Sequence, residues 1–469
     1  MYQTTIFDIM YPKYKITKPI RLIELFAGYG SQYLALKYLG ANVKHYKICE
    51  WATKSIQAYN DLHIQDYFDY SGDLSDDNIL KVLIELGVSI NYNEPATRQQ
   101  LKRQNFRKIY NNIIATNNLV NIQNAKGEDF KIVNKEQYDY IMTYSFPCQD
   151  LSLAGKGKGM ADTSTRSGML WEVERILNEL KTTNSLPQIL LMENVPQVHG
   201  SDNVEHFNKW QLTLENIGYK NYFQDLIATD YGIPQTRNRC FMISILGEYS
   251  YTFPKPIPLK LKLKDLLENE VDEKYYLTDS MINYLENGKY RSSKVSNKLK
   301  QTETGICPTI DTMQGGNRQP FIKIKNNTKK GYLEATDGDG IDISSRMEHH
   351  RGNVQKDKMQ TLTTSGDNDR GVCVGTYQYA KSDKFMNGKD RLQLGKEISD
   401  TLQTAPKEGV CYNDLRIRKL TPLECFRLMG VKDEDYYKVA KNQSNSSLYH
   451  LAGDSIVVNI LREIFKQLL

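Results

Sequence analysis

Short apolar runs punctuate a largely polar chain. Ile20-Arg21-Leu22-Ile23-Glu24-Leu25-Phe26, Val43 to Cys49, Tyr138 to Tyr144, Ile189-Leu190-Leu191-Met192 and Cys240 to Leu246 each read as a buried strand. Between them, apolar residues recur at helical spacing. Gln32 to Leu39 is one amphipathic stretch, and Ile79, Leu80, Val82, Leu83 and Leu86 mark another. Val173, Ile176, Leu177 and Leu180 mark a third, after Ser167-Gly168-Met169-Leu170-Trp171. Strands alternating with helices predict the α/β class, with an open and mostly parallel sheet. Residues 75–135 break this rhythm. They are basic and polar from Gln99 to Arg107 and Asn-rich from Asn111 to Asn124, which reads as an insertion. Its Lys102, Arg103, Arg107 and Lys108 either line a solvated helix face or touch phosphate.

Beyond residue 250 the texture changes. Pro254-Lys255-Pro256-Ile257-Pro258 reads as a linker. Lys289 to Lys300 then holds five basic residues and no acid. Three Thr-rich stretches follow, at Pro308 to Thr312, Gln360 to Thr364 and Asp400 to Thr404. Each is succeeded by a polar turn and an apolar pickup: Pro320-Phe321-Ile322, Gly371-Val372-Cys373-Val374 and Gly409-Val410-Cys411. This pattern predicts three irregular β-hairpins in a β-rich module. From Arg418 the helical texture returns. Leu420-Thr421-Pro422-Leu423-Glu424 has an N-cap Thr, Pro at N1 and an acid in the first turn. Gly430 stops that helix, and Ile456 to Leu469 forms a last amphipathic one after Gly453-Asp454-Ser455. The expected organisation is a first domain over 1–250, a second over 251–416 and a return to the first over 417–469.

The bulk numbers narrow the class without choosing a function. A chain of 469 residues has room for two or three domains. A hydrophobic share of 40% suits a globular protein, and a net charge of +5 tolerates a polyanionic partner without demanding one. The seven Cys (49, 148, 240, 307, 373, 411, 425) form no Cys-x-x-Cys pair. That argues against a disulfide scaffold or a zinc site and for a reducing compartment. No apolar run approaches a membrane span. The polar start of the chain does not read as a signal peptide, so a cytoplasmic location is expected.

The candidate chemistry gathers where strands end. Ala27-Gly28-Tyr29-Gly30-Ser31 follows the first strand, and a strand, Gly-x-Gly turn and helix make the first unit of a nucleotide-binding sheet. The second strand ends in Glu50-Trp51, about 20 positions on, where ribose hydroxyls are held. Trp51 would stack on an adenine, or else be a core Trp beside an exposed acid. Gly72-Asp73-Leu74 is expected as a third strand end, with Asp73 accepting from an adenine amino group. Ser145-Phe146-Pro147-Cys148-Gln149-Asp150 closes the third apolar run. Cys148 is either a small buried residue or a nucleophile with a lowered pKa. Gly155-Lys156-Gly157-Lys158-Gly159 suits a loop that closes over a phosphate backbone, but it lacks P-loop spacing. Glu193-Asn194-Val195-Pro196 puts a carboxyl at another strand end, where it would serve as a general acid. Arg237 and Arg239 alternate just ahead of the last strand, an arrangement that can point both into one cleft.

Seven stretches, in this order, resemble the C5-cytosine DNA methyltransferase family. They are Phe26-Ala27-Gly28-x-Gly30, Glu50-Trp51, Pro147-Cys148-Gln149, Glu193-Asn194-Val195, Gln235-x-Arg237-x-Arg239, the Arg418 to Gly430 helix and Gly453-x-Ser455-Ile456-Val457-Val458. The likeness covers residues 20–245 and 417–469, and the insertion and Thr-rich module look similar to phage and low-GC bacterial members. The resemblance implies a Rossmann-like S-adenosylmethionine-dependent methyltransferase sheet with a second, smaller β-rich target-recognition domain. It places Phe26, Gly28, Gly30, Glu50, Trp51, Asp73, Leu74, Pro147, Leu170, Asp454 and Ser455 around S-adenosylmethionine. It makes Cys148 the nucleophile, sets Glu193 at cytosine N3 and Arg239 at O2, and has Arg237 support the pocket. It assigns DNA contacts to Gln149, Ser152, Lys156, Lys158 and Arg166.

The implied reaction is methyl transfer to C5 of a cytosine flipped out of double-stranded DNA, through a Cys148–C6 adduct. The implied setting is a bacterial or phage-infected cell, with restriction-modification as one context, no metal, no membrane and monomeric action. One departure stands out: the family usually has Asn where this chain has Asp454. The anion either favours the cofactor's positive charge or points away. Two rival readings remain, a tRNA methyltransferase on the same sheet and a DNA-binding homologue without catalysis. The large 254–416 module favours duplex DNA, and the intact Cys148, Glu193 and arginines favour an enzyme.

Overall fold

The computed structural model describes residues 11–146, 167–235, 237–261, 263–268, 271–275 and 420–469, with short strands between 340 and 418. Cys148, with Pro147, Gln149, Ser152, Lys156, Lys158 and Arg166, lies outside them, as do the Thr-rich arms of the three expected hairpins.

The apolar runs become one six-stranded sheet. Its strands are β1 (Ile20–Leu25), β2 (Val43–Cys49), β3 (Asp139–Tyr144), β4 (Ile189–Asn194), β5 (Tyr219–Ile227) and β6 (Asn238–Leu246), in the order β2-β1-β3-β4-β6-β5. The three pairings along β2-β1-β3-β4 are parallel, and β6 joins antiparallel to both β4 and β5. This is the expected α/β class, a mixed sheet of Rossmann-like form.

Alternation along the strands builds two cores, because successive side chains leave opposite faces. Leu22, Ile141, Leu191 and Ile243 pack on one face, against α1 (Ser31–Tyr38) and α11 (Val458–Lys466). Ile23, Met142, Leu190 and Met242 pack on the other, against α6 (Leu170–Thr182) and α7 (Val204–Ile217).

Helix α2 (Thr53–Tyr59) leads from β2 into the insertion. There α3 (Asp76–Leu86), α4 (Arg98–Lys102) and α5 (Phe106–Ala115) enclose a third core of Ile79, Leu80, Leu83, Leu101 and Ile113, with Ile56 from α2. Arg107 of this insertion pairs with Asp76 at 2.6 Å. After α5 the chain returns to the edge of the sheet, where Leu119 N donates to Ile48 O at 2.9 Å.

The third strand end expected at Gly72-Asp73-Leu74 is instead an exposed turn. No buried run precedes it. Tyr67 and Phe68 are mostly exposed, and the backbone is folded locally by Asp66 and Asp69, which accept from Phe68 N and Ser71 N. At the sheet edge beside β2, Asn118 instead makes a parallel bridge to Ile48.

After β6 the chain stays on the sheet domain. Ile257 N donates to Asp230 O at 2.8 Å, and Leu266 O accepts from Arg427. Then come α8 (Pro422–Arg427), α9 (Asp433–Ala440), α10 (Asn445–Asp454) and α11. The sequence's N-terminal signal for α8 is realised as a capping box: Thr421 Oγ1 accepts from Glu424 N, and Glu424 Oε2 accepts from Thr421 N. Between residues 340 and 418, the described strands form a three-stranded and a four-stranded antiparallel sheet. Three of their pairings join consecutive strands, while two skip a strand: Arg370–Gly371 pairs with Gly340–Asp342, and Glu408–Cys411 pairs with Gly375–Gln378.

Candidate active site

Parallel β1, β2, β3 and β4 end at the same edge, and antiparallel β6 begins there. That topology gathers Phe26, Glu50, Phe146, Glu193 and Arg239 from five separate stretches of chain.

At the β1–β2 end the backbone is folded tightly. Phe26 has φ 56° and Gly28 φ 55°, both in the left-handed region. For Phe26 that is a strained conformation, costing about 1–3 kcal/mol, of the kind that clusters at functional sites. A Cβ on Gly28 would meet no heavy atom within 4 Å, so this turn faces open space. Gly30 differs: a Cβ there would come within 2.6 Å of His63 and Tyr59, and it caps α1 with φ 83°.

Glu50 closes this end. Its Oε2 accepts from Gly28 N at 2.9 Å and its Oε1 from Ala52 N at 2.7 Å. Burial, offset by these two amides, pushes its carboxyl up to about 7. Asn118 braces it from the insertion side: its Oδ1 accepts from Glu50 N, and its Nδ2 donates to Glu50 O. Trp51 is half-buried against the helical insertion.

At the β4–β6 end a carboxyl and an arginine meet. Arg239 Nε lies 3.2 Å from Glu193 Oε1. Glu193 is buried, and burial raises its carboxyl above the ordinary range while Arg239 and Arg237 pull it down. Asn194 Nδ2 donates to Phe146 O at 3.0 Å, which ties the β4 end to the β3 exit two residues before Cys148. Cys49, Cys240 and Cys425 are buried, and burial pushes each thiol up, away from the reactive thiolate.

The C-terminal segment closes the site from above these ends. Arg237 Nη2 donates to Gly453 O at 3.0 Å and to Ser455 O at 2.8 Å. Tyr29 OH donates to Ser455 Oγ at 2.9 Å, so the Gly turn is held as well. Asp454 is half-exposed, with Oδ2 3.0 Å from His450 Nε2. Its charge reaches both carboxyls, raising Glu50 and Glu193 alike. Tyr92 packs on His450 with ring centroids 3.8 Å apart and the planes tilted by 41°.

The structure therefore gathers Phe26, Gly28, Gly30, Glu50, Glu193, Arg237, Arg239, Asp454 and Ser455. It does not gather Asp73 and Leu74, which sit on the exposed turn, and Leu170 is wholly buried in the core. Asn118, Tyr92 and His450 belong to the site's surroundings but escaped the sequence reading. Asn118 lies in an Asn-rich stretch where nothing distinguishes it, and His450 has only its four-residue spacing to Asp454 on a helix as a signal.

The family model described as C-5 cytosine-specific DNA methylase matches residues 96–469. The chain belongs to that family. It is accordingly an enzyme, a DNA (cytosine-5-)-methyltransferase. Among similar curated proteins, the type II methyltransferase M2.ScrFI of Lactococcus lactis subsp. cremoris is 30% identical, over 96% of this chain and 99% of that one. The orphan methyltransferase M.SssI of Spiroplasma monobiae is 34% identical, over 68% of this chain and 86% of its own length. The orphan methyltransferase M.SPRI of Bacillus phage SPR is 29% identical, over 73% and 85%. Among the described residues, no helix of this methyltransferase is long and apolar enough to cross a membrane.

Proposed function

We propose that this enzyme transfers a methyl group from S-adenosylmethionine to C5 of a cytosine flipped out of a specific duplex DNA sequence. The observation that carries the reading is the Glu193–Arg239 pair, buried at the edge where the β3 exit leads to Cys148. An open turn at Gly28 and a buried acceptor at Glu50 fit a nucleoside cofactor. Phe26, Gly28, Gly30, Glu50, Trp51 and Ser455 would hold S-adenosylmethionine. Once bound, it supplies an electrophilic methyl group.

The chain's own groups do the rest. Cytosine C5 is a weak nucleophile, so Cys148 adds as a thiolate to C6; its pair forms the S–C6 bond, the C5–C6 π pair shifts to C4–C5 and the C4–N3 pair moves onto N3, which leaves an enamine nucleophilic at C5. Negative charge then develops at N3, and a protonated Glu193 donates there. Its raised carboxyl suits that role. Arg239 orients the ring at O2 and stabilises charge on it. Arg237 holds the C-terminal segment in register with the cleft. C5 of the enamine then takes up the methyl group, leaving S-adenosylhomocysteine; a base takes the C5 proton, and that electron pair re-forms the C5–C6 double bond as Cys148 leaves as thiolate. The base is unreachable in the stack, so it must leave the helix at a cost of a few kcal/mol. Closure of the 152–166 segment, with Gln149, Ser152, Lys156, Lys158 and Arg166 toward DNA, would offset that cost. The β-rich module between the arginine stretch and α8 would read the sequence, and the enzyme would act as a monomer.

The test is to incubate the protein with mixed-sequence duplex DNA and S-adenosylmethionine and to map 5-methylcytosine at single-base resolution. Marks confined to one short context, absent with Cys148→Ser, are expected. No marks on DNA while S-adenosylmethionine still binds, or marks on DNA made by Cys148→Ser, would overturn the reading.

A further inference from the structure

We infer that His199, Asp225 and Cys240 form a binding site for a thiophilic divalent cation, zinc in particular. The inference is independent of the methyl-transfer reading.

The three side chains converge from three elements. Asp225 on β5 and Cys240 on β6 are cross-strand partners, and His199 ends the short turn Pro196–His199 that follows β4. His199 Nε2 lies 2.9 Å from Asp225 Oδ1. One donor atom from each residue lies within 4.8 Å of the others. A tetrahedral ion with bonds of about 2.0–2.3 Å holds its ligands about 3.3–3.8 Å apart, so only a small inward movement is needed. Phe207 and Phe223 pack on the imidazole, with centroids 5.9 and 5.6 Å away, and fix its approach.

The donor set selects the ion. One sulfur, one nitrogen and one carboxylate oxygen suit zinc or cobalt and not magnesium or calcium, which take oxygen alone. The His199 and Asp225 side chains are 30% and 33% exposed, which leaves a water the fourth position. Binding balances simply. The cation takes the Cys240 thiolate, the Asp225 carboxylate and neutral His199 through Nε2, with the imidazole proton on Nδ1, and one thiol proton goes to solvent. The ligands lie far apart in sequence, so a search for clustered Cys and His could not find them.

The cation would act as a clip. Cys240 follows Arg239 directly, and the His199 turn follows Asn194, so a bound ion ties together the two chain segments that present Glu193 and Arg239. Its occupancy would set how firmly that pair is held.

The experiment uses the chelator-stripped full-length protein, titrated with Co²⁺ and followed by absorption. The expected result is one equivalent bound, with thiolate-to-cobalt charge transfer, displaced by Zn²⁺. The signal is retained in Cys148→Ser, lost in Cys240→Ser and weakened at least about tenfold in affinity in His199→Gln. Zinc should also raise the melting temperature of the wild type more than that of His199→Gln at the same concentration, which keeps the test intact if Cys240→Ser misfolds. No charge transfer in the wild type, survival of the signal in both ligand variants, or its loss in Cys148→Ser would overturn the assignment.

Discussion

Glu50 and Glu193 stand at the same edge of one sheet, both buried and both raised above the ordinary carboxyl range, yet their partners are of opposite kinds. Glu50 is met by two backbone amides, which are neutral, fixed donors. Glu193 is met by a guanidinium 3.2 Å away, with a second arginine near. Amides leave a carboxyl free to accept further hydrogen bonds from hydroxyls. A flanking arginine supplies charge where charge must appear during reaction. On the proposed reading one carboxyl serves as an acceptor and the other as a proton donor beside a cation; burial raises both, and the two arginines oppose that rise at Glu193 as the two amides do at Glu50.

The comparison breaks most visibly at Glu193. Glu193→Gln should lower kcat about 10²–10⁴-fold while leaving S-adenosylmethionine affinity unchanged, measured by single-turnover methylation and by calorimetry. Equal loss of both would erase the distinction between the two ends.

Glu24 sharpens it as a third case. It is buried on β1, accepts from Tyr59 OH at 2.6 Å and Tyr33 N at 3.2 Å, and is raised to about 7, chiefly by burial. A carboxyl whose folded pKa exceeds its unfolded one favours folding fully below the unfolded value, and that contribution is lost as pH rises through the folded one. Urea unfolding should therefore show stability falling between about pH 4.5 and about pH 7, and Glu24→Gln should remove about 3 kcal/mol of that fall. An unchanged pH profile would mean that Glu24 stays ionised in the folded chain.

Smaller effects follow. Glu50→Gln should weaken S-adenosylmethionine binding about 10–100-fold, with kcat at saturation nearly intact, because a charged acceptor is worth about 1.5–3 kcal/mol. In the wild type, affinity should rise as pH climbs through about 7 and Glu50 ionises; the variant should lose that dependence. Asn194→Ala should cost about 1–2 kcal/mol of stability by leaving Phe146 O without its donor. Its effect on kcat should exceed its effect on cofactor affinity, since the bond lies at the Glu193 end.

Much of this edge was legible in the chain. Where a run such as Ile189–Met192 is apolar throughout, it must be buried on both faces, and the polar residue that ends it must face the cleft. Glu193 was found that way, Glu50 by its spacing of about 20 residues from the Gly turn, and Arg239 by its alternation with Arg237 ahead of a strand. Strand β5 was not, because its central residues are partly or fully exposed and show no alternation to read. Gly72-Asp73-Leu74 misled because a Gly-Asp pair looks alike after a strand or after a chain of Asx turns. The bracing of Glu50 by Asn118 depends on tertiary return across 68 residues, which no local pattern records. Likewise, the Cys spacing that argued against zinc speaks only to clustered ligands.

The fork of Arg237 onto Gly453 and Ser455 has a consequence for how the gene product tolerates cutting. Together with Gln235 Nε2 donating to Leu428 O at 2.7 Å and Ile16 N donating to Leu468 O at 2.8 Å, it joins the last fifty residues to the first sheet by contacts that bypass everything between 276 and 419. Two separately expressed pieces, divided in that interval, should therefore find each other and assemble, measured by co-purification of the pair.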